Sequence, residues 1–531
     1  MNRFFNIAGP IQDNQHYHLD PLTRLDWEEI QMLIEQNKYF VLHAPRQTGK
    51  TSTMLSMMDA LNHGGEYVAL YANVEATQAM GNDVDRGINN LCDSIAHNAW
   101  IHLKTELLID WLAQKGQSIS PGDKLTQLLS YWSLATDKPC VLFLDEVDAL
   151  VGDTLISLLR QIRAGYIQRP SAFPQSIVLC GVRDVRDYRI HSSGEIITGG
   201  SAFNIKSESL RMGNFGQSEI RALYQQHTDA TGQRLSADIF DQLWQDTKGQ
   251  PWLVNALAHE MLFKAKENRD RNKTIELEDY RVAREKLIYS RATHLDQLSD
   301  KLKEPRVHAV IAPMLATENT INAGQSSLDD LQYVEDLGLI VLTPKQQISN
   351  RIYQEVIPRE LTYPTQLSIC HEQSWYLNDD NHIDMPKLLS AFQQFFRENA
   401  QAWIERFDYK EAGPQLLMQA FLQRIINGGG RINREYALGS KRTDLIIEWP
   451  TSDEGFYGDV QRIVIELKIL YGALDTCIKE SMIQTADYAD RLGASQAHLM
   501  IFDRNANVSW DDKTWQRQAN LGDREISIWG C

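Results

Sequence analysis

Short apolar runs alternate with longer amphipathic stretches through the first 200 residues. Tyr39-Phe-Val-Leu-His43, Tyr67-Val-Ala-Leu-Tyr71, Cys140-Val-Leu-Phe-Leu144 and Ile177-Val-Leu-Cys180 have strand length and are rich in β-branched or aromatic residues. Separated by helical patterns, such runs predict a parallel sheet between helices. From about 216 to 300 the pattern turns helical, with Trp244, Trp252, Leu253 and Leu257 as apolar anchors. From about 305 to 362 it predicts helix, turn, helix, the strand Leu339–Leu342, a turn at Thr343-Pro-Lys345 and further apolar residues, an order that suits a winged helix. The polar stretch from 366 to 385 reads as a linker, and a final α/β segment runs to Cys531.

Composition narrows the class. The 531 residues, 43% hydrophobic and 23% charged, suit a globular chain of three or four domains. A formal net charge of −17 is the wrong sign for coating nucleic acid, so any DNA contact must rest on a local site. No apolar run approaches the roughly 18 residues of a membrane helix, and the start MNRFFNIAGP lacks a signal peptide's regions. Six dispersed cysteines without a C-x-x-C pair read as reduced thiols. The expectation is a cytoplasmic protein with no membrane contact.

Ala44-Pro-Arg-Gln-Thr-Gly-Lys-Thr51 lies between a strand and a helical pattern, the setting a phosphate-binding loop requires. Backbone N–H groups around Gly49 would cradle phosphates, Lys50 would reach the β- and γ-phosphates, and the Thr51 hydroxyl would bind Mg²⁺. Ala44 replaces the usual first glycine and predicts a slightly different opening turn, because alanine disfavours positive φ. The run Val141-Leu-Phe-Leu-Asp-Glu146 would deliver Asp145 to the Mg²⁺ shell and Glu146 to an attacking water as general base. Arg183 and Arg186, after the fourth strand, fit either of two roles: sensing the γ-phosphate, or pairing with Asp184 and Asp187.

These motifs, with Gly249-Gln-Pro-Trp252 in the helical stretch, resemble the STAND and origin-recognition-like AAA ATPases over roughly residues 1 to 362. The resemblance implies ATP with Mg²⁺, a lid joined to the core at the Gly-Gln-Pro motif with Pro251 near the nucleotide, and a following winged helix. It also implies a nucleotide-driven switch between core and lid. The acidic residues Asp329, Asp330, Glu335 and Asp336 argue against base readout by the winged-helix-like unit.

Near the C-terminus, Asp444 leads into an apolar strand and Ile463-Val-Ile-Glu-Leu-Lys468 follows. Strand alternation puts Glu466 and Lys468 on one face. Converging carboxylates suit Mg²⁺ or Mn²⁺, and a neighbouring lysine can orient a water and stabilise charge on a phosphate. Gln484 and Tyr488 form an i, i+4 pair on a helical stretch. The order D…E-x-K followed by Q-x-x-x-Y resembles the PD-(D/E)XK nuclease superfamily, its exonuclease-like branch in particular, over about residues 390 to 531. That resemblance implies catalytic roles for Asp444, Glu466, Lys468, Gln484 and Tyr488, with Glu411 as a further carboxylate ligand. Arg431, Arg434, Lys441 and Arg442 form a basic neighbourhood that fits a phosphate backbone or, equally, a solvated hairpin.

The expected architecture is multidomain α/β. It comprises a P-loop AAA-like core (1–203), a helical lid (204–300), a winged-helix-like unit (301–365), a linker (366–389) and a restriction-endonuclease-like domain (390–531). The expected activity is an ATP-hydrolysing switch controlling a metal-dependent nuclease on DNA, with RNA also open and a homo-oligomer compatible. The resemblance connects such fusions with bacterial defence against foreign DNA. The alternative is an ATP-dependent signalling or oligomerisation switch whose nuclease-like domain only binds a partner or DNA. A DNA-transport or repair ATPase is a third reading.

Overall fold

A computed structural model describes residues 3–531 except 151, 185–188, 193–194, 199–203, 290–297, 299, 317–326, 345, 359–374, 407–412, 427–428, 439–440, 453, 471, 504 and 506. Residues 189–192, 195–198, 289, 312–313, 315–316, 399–406, 413–416, 424–426, 434–438 and 441–444 are described by backbone alone. Glu411, Arg186 and Cys370 therefore lie outside the described residues, as do the side chains of Asp444, Arg434, Lys441 and Arg442. The chain forms two units: Met1–Ile275 with Gln332–Leu339, and Glu276–Leu331 with Ile340–Cys531.

The first unit is built on five parallel strands: β1 (Tyr39–His43), β2 (Val68–Asn73), β3 (Cys140–Asp145), β4 (Ser176–Gly181) and β5 (Lys206–Arg211). Their spatial order is β2-β3-β4-β1-β5, so β4 separates β3 from β1. The four apolar runs read from the sequence correspond to β1 through β4. Both sheet faces are covered, which is why these strands are continuous rather than alternating hydrophobic runs. One face packs on helix α1 (Lys50–Gly64) through Met54, Met57, Met58, Phe143 and Val178. The other packs on α2 (Val84–Leu103), α3 (Pro121–Leu134) and α4 (Gly152–Gly165) through residues such as Leu142, Leu91, Leu128 and Leu159. Then follow α5 (Gln217–Thr231), α6 (Asp238–Thr247) and α7 (Pro251–His259).

The second unit is built on a six-stranded sheet: β6 (Arg431–Leu438), β7 (Lys441–Pro450), β8 (Val460–Ile469), β9 (Gln496–Phe502), β10 (Trp515–Leu521) and β11 (Arg524–Gly530). They are arranged β6-β7-β8-β9-β11-β10. The pairs β6·β7 and β7·β8 are antiparallel, whereas β8·β9 and β9·β11 are parallel. Alternation along β8 sorts its side chains. Ile463, Ile465 and Leu467 join Leu388, Phe392, Leu417 and Phe421 on one face. Val464 joins Met482, Tyr488 and Ala489 of the helix Leu474–Leu492 on the other. The helix Leu277–Tyr289, expected at the end of the lid, falls in this unit. So do the helix Pro305–Ala316 and the antiparallel pair Ile340–Val341 with Gln347–Ile348.

The described part of the expected linker needs correction. Tyr376, Ile383, Met385 and Leu388 are core residues, and the backbone N–H of Ile383 donates to Gln461 Oε1 at 2.8 Å. Its polar letters lie on a short turn, while its few apolar residues are the ones that pack. Arg431 is likewise not offered to a ligand. Its guanidinium sits 3.5 Å over the Phe456 ring and donates to Glu278 Oε1 at 2.8 Å.

His498 of β9 gives this unit a pH dependence. Trp529 Nε1 donates to its Nδ1 at 3.4 Å and Gln496 Oε1 lies 3.3 Å from Nε2, so these partners assign the proton to Nε2. Burial lowers its pKa from 6.5 to about 4. A histidine depressed in the folded state contributes stability that is full above the unfolded value and is lost as pH falls towards the folded one. The second unit should therefore lose on the order of 3 kcal/mol between pH 6.5 and 4. Hydrogen exchange of the β9 amides across that range should reveal the loss, and His498→Gln should flatten it.

Candidate functional site

The turn from β1 into α1 draws together the residues that the sequence singled out. Its left-handed positions are Gln47 (φ 59°) and Gly49 (φ 98°), and Ala44 is not among them. The opening turn thus does not require glycine at 44. Ala44 is fully buried, and its N–H donates to the Gly181 carbonyl of β4 at 3.2 Å. Lys50 opens α1 and is buried, its ammonium donating to the carbonyls of Ala44 (3.0 Å) and Pro45 (3.2 Å).

Asp145 ends β3, fully buried. Its Oδ2 accepts from Thr51 Oγ1 at 2.7 Å and from Tyr71 Oη at 2.9 Å, and its Oδ1 accepts from the Glu146 N–H at 2.9 Å. Glu146 is left-handed (φ 59°), the point at which the chain leaves the sheet for the turn Val147–Ala149. Burial pushes its carboxyl above the usual carboxylate range, with Lys50 pulling the other way. The hydroxyl of Thr51 and the carboxylate of Asp145 are the hard oxygen donors that Mg²⁺ takes, so the pair fits that ion.

Arg183 lies past the end of β4, its guanidinium 4.8 Å over the Tyr333 ring. Neighbouring Asp184 forms a buried ion pair with Lys206 of β5. Burial holds His43, at the end of β1, near a pKa of about 4, so it is neutral at pH 7.

Several contributors to this site escaped the sequence reading. A cleft of about 140 Å³ opens beside Thr48 and Gly49, lined also by Ile7, Tyr17, Arg24 and Trp252. The N-terminal segment forms one wall. It is tied to α1 by the Ile11 N–H donating to Ser52 Oγ (3.0 Å) and to α7 by Trp252 Nε1 donating to the Ile7 carbonyl (2.9 Å). Arg24 donates to the Thr48 carbonyl at 3.1 Å and stacks 4.5 Å from the Phe215 ring; burial lowers its pKa to about 10. No motif marks these residues. Only the aromatic residues Phe4, Phe5 and Tyr17 among the first twenty positions hinted at a packed segment.

Gly249 explains one motif structurally. It is left-handed (φ 74°), and a Cβ there would stand 1.9 Å from the Phe215 carbonyl. The close approach lets the Phe215 N–H donate to the Gly249 carbonyl at 2.9 Å. Gln250 then caps α7 by accepting from the Leu253 N–H, and Pro251 takes the first helical position, where no donor is needed. Pro251 also lines the cleft.

In the second unit, Glu466 is fully buried and Lys468 Nζ stands 2.8 Å from its Oε1. Gln484 Nε2 donates to Tyr488 Oη at 2.7 Å. Tyr488 packs with Val464 on the helix-covered face of β8, the side that alternation gives to Glu466 and Lys468. The register pairs Leu445 with Ile465, one step from position 444 on β7. Among the described residues, no group of three or more His, Cys, Asp or Glu is arranged to hold a metal ion. Cys92, Cys140, Cys180, Cys477 and Cys531 carry free thiols. No helix among the described residues is long and apolar enough to cross a membrane.

The sequence pattern of the AAA-like domain family matches residues 23–357. Among solved structures, a Walker-type ATPase of Pyrococcus abyssi is similar at 12% identity over 66% of this chain and 99% of that one, with a TM-score of 0.46. The ADP form of the Aeropyrum pernix ORC2 protein is similar at 13% identity over 67% of this chain and 96% of that one, TM-score 0.36. The RuvB Holliday junction branch migration motor of Thermotoga maritima is similar at 11% identity over 63% and 95%, TM-score 0.31. No curated protein matches the chain.

Proposed function

The chain belongs to the AAA-like domain family, and from that premise we propose that it is an ATP-hydrolysing switch whose second unit is a metal-dependent nuclease acting on DNA. The observation that carries the first half is the contact of Thr51 with Asp145, which joins the phosphate-loop helix to the carboxylate strand at 2.7 Å. In this reading Lys50 holds the β- and γ-phosphates, and Thr51 and Asp145 hold Mg²⁺. When bound, that ion neutralises phosphate charge. Glu146 accepts a proton from the attacking water, and burial, by raising its pKa, strengthens it as a base. Arg183 answers to the γ-phosphate, and the Gly249–Pro251 turn carries the lid's response.

The second half rests on the Glu466–Lys468 pair and on the Gln484–Tyr488 pair of the helix covering the same strand face. Asp444, one register step beyond the Leu445–Ile465 pair, would join Glu466 in holding a divalent ion, with Glu411 as a further ligand. Lys468 would orient the water and stabilise the phosphate's developing charge. Defence against foreign DNA is the setting we propose for this combination.

A nuclease assay tests the reading. Linear, circular and single-stranded DNA, and RNA, are incubated with the protein in Mg²⁺, Mn²⁺ or chelator, each with ATP, ADP or a non-hydrolysable analogue. Metal-dependent cleavage that is lost in Lys468→Ala is the expected result. No cleavage in any nucleotide state would overturn the nuclease half and leave an ATP-dependent switch whose second unit binds a partner.

A further inference from the structure

We propose that Tyr71 is a positioning residue of the magnesium site, holding Asp145 Oδ2 where it and Thr51 can share the ion. This inference rests on the ATP-binding reading above and adds a residue that no phosphate-loop motif contains.

The placement follows from strand register. β2 and β3 are parallel, with Tyr71 beside Phe143 and Asn73 beside Asp145. Tyr71, Phe143, Ala69 and Val141 all pack on the α1 side of the sheet. Asp145, two residues beyond Phe143, shares that side, and Thr51 lies in the first turn of α1. Tyr71 therefore reaches Asp145 along the sheet while Thr51 reaches it from above.

Both hydroxyls end on the same oxygen, Tyr71 Oη at 2.9 Å and Thr51 Oγ1 at 2.7 Å from Oδ2. A fully buried carboxylate has no water to orient it, so its donors fix its rotation. The Glu146 N–H holds Oδ1 and the two hydroxyls hold Oδ2. Thr51 must also turn an oxygen lone pair towards the metal, so Tyr71 is the second side-chain donor that keeps Oδ2 in place.

A tyrosine that merely fills the core would also seek a polar partner for its hydroxyl. The two roles separate on magnesium. For Tyr71→Phe, ATP affinity in chelator should stay within about twofold of the parent, and melting should be little changed. The Mg²⁺ concentration giving half-maximal tightening of ATP binding should rise about tenfold, the usual cost of losing a partner that orients a metal ligand. Calorimetric titrations of ATP at stepped Mg²⁺ concentrations measure both quantities. An unchanged Mg²⁺ requirement would overturn the proposal. In an Asp145→Asn background, Tyr71→Phe should add nothing to the Mg²⁺ requirement; an additional shift there would equally overturn it, because the hydroxyl would be acting through another group. Failure of the parent to bind ATP in chelator and in Mg²⁺ alike would instead refute the nucleotide reading, whatever Tyr71 does.

Discussion

Glu146→Gln is expected to bind ATP as the parent does and to turn it over about a thousandfold more slowly, the middle of the range for losing a general base. The amide keeps the size of the side chain and leaves the Glu146 N–H on Asp145 Oδ1, so the carboxylate that would hold Mg²⁺ is undisturbed. What disappears is a carboxylate whose pKa burial has raised, and a neutral amide accepts no proton at any relevant pH. Single-turnover phosphate release measured beside calorimetric ATP affinity separates the two effects. Rapid release by the variant would assign the water to another residue. The same protein should accumulate the ATP-bound form, which makes it the natural material for the nuclease assays.

Lys50→Ala should fail earlier, at binding. In the proposed reading its ammonium meets the β- and γ-phosphates, and a hydrogen bond to a charged group contributes up to about 3 kcal/mol. ATP affinity should accordingly fall about 100-fold. The carbonyls of Ala44 and Pro45 would lose their buried donor as well, so the first unit should melt somewhat earlier. The second unit has its own cores and should retain its stability. Calorimetry and a two-transition melt report these outcomes, and undiminished ATP affinity would refute the role given to the loop. If the nucleotide state governs the second unit, cleavage or solution mass should also differ between Lys50→Ala and the parent. Identical behaviour would leave two independent activities on one chain.

What the sequence revealed and what it concealed divide along a physical line. β1 and β3 are unbroken apolar runs because both sheet faces are buried, and the turn after β1 and the last residue of β3 carry residues that meet in the fold, so strand and juxtaposition were legible together. Glu466 and Lys468 were legible for a similar reason, since alternation alone places them on one face. Asp145's partner Tyr71 was not. Within the run Tyr67–Tyr71 it reads as one more aromatic, and only the pairing of β2 with β3 makes it a hydrogen-bond donor. Arg24 and the N-terminal segment were hidden because their contacts with Thr48, Ser52 and Trp252 are distant along the chain and follow no period. The expected linker misled because 366–385 is polar on average, whereas in its described part Tyr376 and Ile383 are buried in the core.

The methionines behind α1 make the first unit observable from inside. Met54, Met57 and Met58 lie one to two turns after Lys50, on the buried side of the helix, and Met212 joins the same layer, its sulfur 4.0 Å from Thr53 Oγ1. Thioether side chains are unbranched and polarisable, so this layer adapts to small displacements more readily than branched aliphatics would. Methyl-labelled methionine would place four of the chain's thirteen methionine signals in that layer. Those resonances offer a spectroscopic record of how α1 settles on the sheet as phosphate arrives, obtained without altering a single residue.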